Sequence, residues 1–252
     1  MAVVNDFCGK DGLAVLVNNA GIARPIGISQ FTKEPNRDLA RKLDDVLAVN
    51  LRSAYLVTSA AVPLLKKAAK RAQEEGSSVV NMSSVVARTP IPGDSVYAGT
   101  KAALENFTLS ASRELAGDGI RINSVHPGFI YTDLTVDPLV FALLGEVEKL
   151  TKDSYGLITP GQLVHHWMEK RGIPNPKADE LKQATLTMEI PGFVLKSTLG
   201  ELAEEIIGGK IPLGRLGRPE DVAEVTFAAA TLPYVTGSQF FVTGGLGVGL
   251  NI

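Results

Sequence analysis

Tyr97 and Lys101 are the residues whose types and spacing most directly predict chemistry in this chain. On a helix, residues four apart share one face, so the lysine ammonium can sit beneath the tyrosine phenol and favour its ionised form. A free tyrosine has a pKa of about 10, and a general acid or base works best with a pKa nearer the operating pH. The pair therefore predicts proton transfer at a carbonyl or alcohol oxygen, although such a pair alone can equally be a packed tyrosine beside a lysine stem.

Short apolar runs and helical patterns alternate along the chain. The run at residues 13–17 ends in Asn18-Asn19-Ala20-Gly21, which predicts a strand buried on both faces and then a turn. The later segments predict a helix over about residues 39–71, a strand over 77–82, a helix over 95–116, and strands over 120–125 and 239–242. Strands and helices that alternate at these lengths imply right-handed crossovers. The predicted fold class is therefore α/β, with a doubly wound parallel sheet.

Residues 135–210 differ from the rest because prolines interrupt amphipathic segments and no strand-like apolar run occurs. This pattern predicts a helical lid, so we expect one domain, residues 1–252, that includes the lid. Lids exclude water and shape specificity. The apolar residues of this segment favour a lipophilic substrate, although they could equally serve only to pack the lid on the body. They are Phe141, Leu143, Leu144, Trp167, Phe193 and Leu195.

The composition of the 252-residue chain, with 45% hydrophobic and 21% charged residues, is typical of a soluble globular protein. The net charge of -2 gives no reason to expect nucleic acid or an anionic membrane as a partner. No stretch approaches the roughly 20 uncharged apolar residues that span a bilayer, and the first residues do not resemble a signal peptide. A cytoplasmic location is therefore expected.

The sequence predicts no metal site. The single cysteine, Cys8, excludes an intramolecular disulfide and a cysteine-rich metal site. His165 and His166 are adjacent, and adjacent side chains on a helix point in different directions. These histidines and His126 are expected to have structural or surface roles.

Five groups of residues follow one another in an order that resembles the short-chain dehydrogenase/reductase family. They are Asn18 to Gly21; Val49-Asn50-Leu51; Ser83-Ser84 with Tyr97 and Lys101; Pro127-Gly128 with Thr132; and Gly217 to Ala223 with Thr236-Gly237 and Gly244-Gly245. One such motif is weak support, but five in order are strong support, and they cover nearly the whole chain outside the predicted lid. The resemblance implies a Rossmann-like fold and an NAD(P)-dependent oxidoreductase of the alcohol dehydrogenase type that forms homodimers or homotetramers.

The resemblance implies a catalytic set of Asn50, Ser84, Tyr97 and Lys101. Tyr97 would pass a proton to or from the substrate oxygen as hydride moves between the substrate and the nicotinamide. Lys101 would lower the tyrosine pKa and hold the nicotinamide ribose, and Ser84 would hydrogen-bond the substrate oxygen. Asn50 would bind a water that links the lysine to solvent, unless it is only a surface residue of its helix. The implied reaction interconverts a secondary alcohol and a ketone. The apolar residues of the predicted lid favour a lipophilic skeleton, with steroid, acyl thioester and polyol substrates left open.

The resemblance also implies which residues contact the cofactor, NAD or NADP. The segment at residues 18–21 would stabilise the central sheet and pass close to the ribose, because glycine lets the backbone approach. The segment at residues 127–132 would contact the nicotinamide amide and the pyrophosphate. The full set is Asn18, Ala20, Gly21, Tyr97, Lys101, Pro127, Gly128, Ile130 and Thr132.

The glycine-rich dinucleotide-binding turn that opens members of this family has no counterpart in the sequence. We therefore expect that an N-terminal part of the fold is missing and that residues 13–17 form a sheet edge. We also expect NAD or NADP to bind weakly and without discrimination. The alternative to an active oxidoreductase is a truncated or catalytically inactive family member that acts as a scaffold, or an incomplete gene model.

Overall fold

The structure, a computed structural model, describes residues 8–9, 11–24, 37–91, 93–132, 134–135 and 208–246. The chain divides into two compact units. The first comprises residues 1–130, 211–213 and 217–252, and the second comprises residues 131–210 and 214–216. The lid predicted over residues 135–210 lies almost entirely outside the described residues, so the lid stays a prediction, as does the assignment of one domain.

Four parallel strands form the sheet of the first unit within the described residues. They are β1, Val15–Asn18; β2, Ser77–Met82; β3, Ile120–Pro127; and β4, Gln239–Val242. Their order across the sheet is their order along the chain, and each neighbouring pair is parallel. The α/β fold class with a parallel sheet is therefore confirmed.

β1 is an edge of the described sheet, as the sequence predicts for residues 13–17. The expectation that this strand is buried on both faces is wrong. Within the part of the chain that the structure describes, β1 pairs only with β2, and alternate side chains of the strand, Val15 and Val17, are 39% and 40% exposed. Side chains that alternate along a strand point to the same face, so this face of β1 is open to solvent.

Helices cover both faces of the sheet. α1 spans Arg37–Leu47, and a π-helical turn at Ala48–Arg52 joins it to α2, Ser53–Ala72. α3 spans Ser95–Leu115, and α4 spans Pro219–Thr231. Pro219, Glu220 and Asp221 lie in the first turn of α4. The single helix predicted over residues 39–71 is therefore two helices with a π-helical turn between them.

The core has two parts because successive residues of β2 point to opposite faces. On one face, Val79 packs with Leu65 of α2 and Leu104 of α3. On the other face, Val80 packs with Ala229 of α4. The doubly wound arrangement predicted from the sequence is therefore confirmed for the described residues.

The continuous helical stretch Leu39–Glu75 is long and apolar enough, by length and composition, to cross a membrane. The prediction from the sequence concerned uncharged apolar stretches, whereas this helical stretch contains charged residues. In the structure, however, Ala61 and Leu65 of this stretch are fully buried in the core cluster against the sheet. One face of this stretch therefore packs on the sheet, and 28% of its most apolar window is buried.

Asn123 connects three segments in the half of the sheet that ends in β4. Its side chain is fully buried on β3 and donates to the carbonyl oxygens of Ala229, at 3.0 Å, and Val235, at 2.8 Å. Its Oδ1 accepts from the main-chain N–H of Ser238 at 3.0 Å. One amide therefore fixes the end of α4 and the start of β4 against β3.

The variant Asn123→Ala is expected to lower the free energy of unfolding by about 2 to 4 kcal/mol, because it leaves buried carbonyl and N–H groups without partners. Urea denaturation followed by circular dichroism measures the change. Thr231→Ala is the control, since this exposed hydroxyl donates only to Phe227 within its own helix, at 2.9 Å. A loss no larger than that of the control would contradict the role assigned to Asn123.

Candidate active site

Tyr97 and Lys101 lie on one face of α3, as their spacing predicts. The lysine Nζ is 5.5 Å from the centre of the tyrosine ring. Only 9% of the tyrosine and 3% of the lysine are exposed. α3 begins at Ser95, so Tyr97 lies in its first turn and Lys101 one turn later. The two groups are therefore largely removed from water near the start of a helix.

The Lys101 ammonium donates a hydrogen bond to the carbonyl oxygen of Met82, the last residue of β2, at 2.7 Å. Burial lowers the pKa of this lysine to about 8. A Cβ atom placed on Gly21 would lie 3.3 Å from the lysine Nζ, so glycine keeps that side of the ammonium open. An ammonium has three N–H donors, and the Met82 contact leaves room for further acceptors such as ligand hydroxyl groups.

Ser84 lies directly beyond β2, where the chain leaves the sheet. It has an extended backbone and caps a short 3₁₀ turn, Val85–Ala87, by accepting a hydrogen bond from the Val86 N–H at 3.3 Å. A hydrogen bond between the Ser84 and Tyr97 side chains acts to lower the tyrosine pKa. The structure therefore brings together the serine, tyrosine and lysine that the sequence analysis selected.

The pKa of Tyr97 is raised to about 12, which is opposite to the direction expected from the sequence. Burial is the largest cause, and the negative charge of Asp94 acts in the same direction, whereas the Ser84 hydrogen bond acts against both. The expectation that the pKa of Tyr97 is lowered overall is therefore wrong for the structure described. Desolvation of the phenolate outweighs the attraction of an ammonium that bonds to Met82 instead.

Asn50 lies in the π-helical turn and is 1% exposed, so it is not a surface residue of a helix. Its Oδ1 accepts from the Ile22 N–H at 2.8 Å, and its Nδ2 donates to the Ile22 carbonyl oxygen at 2.9 Å. Nδ2 also lies 3.2 Å from the Thr100 hydroxyl of α3. Asn50 therefore holds the segment that carries Gly21 beside Lys101, and the water relay implied by the resemblance stays a prediction.

Asn18, at the end of β1, has its side chain directed into the protein. Its Nδ2 donates to Asn81 Oδ1 at 2.8 Å and to the Thr58 hydroxyl at 3.0 Å. Asn81 in turn donates to the Thr108 hydroxyl at 2.9 Å. These bonds connect β1 with α2, β2 and α3, which is the sheet-stabilising role expected of this segment. Contact of Asn18 and Ala20 with a cofactor stays a prediction.

The other predicted cofactor residues lie at and beyond the end of β3. Pro127 is the last residue of β3, and the Gly128 N–H donates to the Val242 carbonyl oxygen at 2.9 Å. Ile130 is 7% exposed and forms a bridge with Gly217. Thr132 belongs to the second compact unit. Their contact with a cofactor stays a prediction.

Asp94 is a residue of the site that the sequence analysis missed. It precedes α3 directly, makes no side-chain capping bond, and its charge acts on the pKa of Tyr97. Burial raises the pKa of this carboxyl group to about 6. The sequence spacing could have indicated this neighbour of Tyr97, because residues three apart on a helix lie close together and Asp94 comes three residues before Tyr97.

Residues 2–138 match the family model described as short chain dehydrogenase. The 3-oxoacyl-[acyl-carrier-protein] reductase FabG of Thermotoga maritima is 31% identical over 97% of this chain and 70% of its own. The (3R)-3-hydroxyacyl-CoA dehydrogenase of Canis lupus familiaris is 31% identical over 92% of this chain and 62% of its own. The chain belongs to the short-chain dehydrogenase/reductase family, whose members are NAD(P)-dependent oxidoreductases.

A solved structure gives the same fold. The ligand-free aldohexose dehydrogenase of Thermoplasma acidophilum superposes with a TM-score of 0.62 at 22% identity and covers 99% of this chain and 74% of its own. This likeness supports the Rossmann-like fold. The comparisons do not confirm that an N-terminal part of the fold is missing.

Replacing Asp94 by asparagine is expected to stabilise the protein above pH 6. A carboxyl pKa raised from 3.8 to about 6 means that the folded state binds more protons than the unfolded state between these values. Stability therefore falls as the pH rises through this window, and a neutral amide avoids that loss. The stability gained in Asp94→Asn should be full above pH 6. It should vanish below pH 3.8, where the aspartate is protonated and therefore as neutral as the asparagine.

Thermal unfolding of both proteins at a series of pH values measures this difference. Asp44→Asn, which neutralises an exposed carboxylate on α1, is the matched control and should show no such pH-dependent gain. A melting temperature for Asp94→Asn equal to that of the unmodified chain at pH 7.5 would contradict the penalty assigned to Asp94.

Proposed function

We propose that the chain interconverts a secondary alcohol and a ketone with NAD or NADP, with Tyr97 as the proton donor and acceptor. The observation that carries the proposal is the convergence of Ser84 and Lys101 on this tyrosine. The Ser84 side chain acts on Tyr97 to lower its pKa, and the lysine Nζ lies 5.5 Å from the tyrosine ring. A hydroxyl donor, an acid and a cation around one point are the groups that carbonyl reduction needs.

The raised pKa of Tyr97 favours its protonated form at neutral pH, which is the form that donates in ketone reduction. Bound NAD(P)H supplies the hydride, and NAD(P)⁺ accepts it in the reverse direction. As negative charge develops on the carbonyl oxygen, Ser84 can donate a hydrogen bond to it and Tyr97 can transfer its proton to it. The tyrosinate left behind is then stabilised by the nearby ammonium of Lys101.

The site fits a cofactor that carries sugar hydroxyl groups. The space beside Gly21, which a Cβ would restrict, lies against the Lys101 ammonium. The Met82 carbonyl occupies one lysine donor, so others can bond to ribose hydroxyls. Gly21, Tyr97 and Lys101 would therefore hold the nicotinamide end. We propose further contacts from Asn18, Ala20, Pro127, Gly128, Ile130 and Thr132.

The proposed substrate is a ketone or secondary alcohol on a lipophilic skeleton. Two curated relatives act, by their names, on 3-oxoacyl and 3-hydroxyacyl compounds, and this supports an acyl chain.

Among the described residues, α2 exposes apolar side chains at Tyr55, 45%, and Leu56, 57%. These exposed side chains support a homodimer or homotetramer. A cytoplasmic location is part of the same proposal.

The variant Tyr97→Phe is expected to reduce turnover by at least a factor of about 100, because it removes the proton donor and leaves the ring in place. Oxidation of NADH or NADPH with a 3-oxoacyl thioester, followed by absorbance, measures turnover. Tyr55→Phe is the matched control, since this tyrosine lies on α2 and stacks on Phe107 instead. Cofactor affinity, measured by nicotinamide fluorescence, should be similar in all three proteins. Residual turnover of Tyr97→Phe beyond a few per cent would overturn the assignment.

A substrate panel tests the class of substrate. We expect acyl-chain and other lipophilic ketones to give a higher kcat/KM than small polyols and sugars, because apolar contacts add binding free energy of about 0.8 kcal/mol per buried methylene group. The same panel measured with Tyr97→Phe gives the background. If a small polyol were a better substrate than every lipophilic ketone, the proposed substrate class would be wrong.

A further inference from the structure

His126 is a fully buried residue of β3 that takes no part in the mechanism above. Both of its ring nitrogens have partners. Nδ1 lies 3.3 Å from the carbonyl oxygen of Ser84, and Nε2 lies 2.9 Å from the hydroxyl of Ser124. His126 is therefore in direct contact with the main chain of a residue placed in the active site.

The partners of the ring determine its tautomer. A carbonyl oxygen can only accept, so the hydrogen bond to Ser84 requires a proton on Nδ1. Burial lowers the pKa of His126, which keeps the ring neutral at pH 7. Nε2 therefore carries no proton and accepts from the hydroxyl of Ser124.

The surroundings of the ring keep it in this position. Phe241 of β4 packs on it with ring centres 4.7 Å apart. Arg88 lies over the same phenylalanine, 5.5 Å from its centre, and forms an ion pair with Glu105 of α3. The charges of Glu105, Arg88 and Lys101 all act on His126. β4, α3 and the turn after β2 thus enclose the imidazole.

Ser84 lies beyond the last paired residue of β2, and the Ser83 N–H before it donates to the Val125 carbonyl oxygen at 2.8 Å. The Ser84 carbonyl oxygen accepts from the Ala87 N–H of its own turn, at 3.1 Å, and from His126. The first contact is local and moves with the turn, whereas the second connects Ser84 to β3. His126 is therefore a direct link between the Ser84 main chain and the sheet.

We infer that His126 is a positioning residue, which through its Nδ1–H holds Ser84 so that the serine hydroxyl meets Tyr97 and the substrate oxygen. This inference rests on the proposed function. A positioning role of His126 differs from a purely packing role in one respect: the hydrogen bond to Ser84 matters for turnover, while the bond to Ser124 does not.

Two amide variants separate the two bonds. The side-chain nitrogen of asparagine can take the place of Nδ1, and that of glutamine the place of Nε2. We expect His126→Asn to keep kcat within about threefold of the unmodified chain, and His126→Gln to lower kcat about tenfold with KM little changed, as a small misplacement of a catalytic hydroxyl does. Ser124→Ala is the control and should leave kcat nearly unchanged. Thermal unfolding of each variant measures stability separately.

Loss of kcat in His126→Asn equal to that in His126→Gln, or a loss in each variant that follows its melting temperature, would overturn the inference. Absence of turnover in the unmodified chain on every ketone tested would overturn the proposed function, and the inference with it. If the unmodified chain is active and the two His126 variants lose kcat equally, the inference alone is overturned.

The tautomer provides a test that needs neither turnover nor a change at His126. The chain has three histidines, so the variant His165→Gln/His166→Gln leaves His126 as the only one. Long-range nitrogen–proton NMR spectra of this ¹⁵N-labelled variant should show a neutral ring with the proton on Nδ1 at pH 7. A proton on Nε2 would overturn the inference whatever the activity.

Discussion

The buried Lys101 ammonium is the group on which the arrangement of the site depends. A cation removed from water needs polar partners, and the Met82 carbonyl oxygen at the end of β2 is such a partner. The same turn of α3 is held a second time, because the Ser83 hydroxyl donates to the Lys101 carbonyl oxygen at 3.0 Å. With residue 101 fixed against the end of the strand, Tyr97, one turn earlier, lies next to Ser84.

Neutral amides connect the secondary structure around this site. Asn18, Asn50, Asn81 and Asn123 each bond to a strand, helix or loop distant in the chain. An amide offers donors and acceptors without the large desolvation penalty of an ion pair. The scaffold can therefore be rigid and polar. The ionisable groups enclosed beside it, Tyr97 and Lys101, are left with pKa values that burial shifts strongly.

The π-helical turn at Ala48–Arg52 adds a constraint of its own. Such turns are rare and occur often at functional sites. Here the turn contains Asn50, whose side chain is buried and bonds both main-chain polar groups of Ile22. Through these bonds, the π-helical turn fixes the position of the loop after β1. Gly21 in that loop then leaves one side of the lysine open.

The sequence by itself determined the parallel α/β fold and the position of Tyr97 and Lys101 on one helix face, because these features follow from periodicities and spacings that act within one element or between consecutive elements. The resemblance to the family implied that Ser84 joins this pair. The tertiary structure decided the direction of the Tyr97 pKa shift and the contact between His126 and Ser84. Both depend on burial and on partners brought together by folding, such as residues 42 positions apart, and no local pattern encodes how much water a side chain loses.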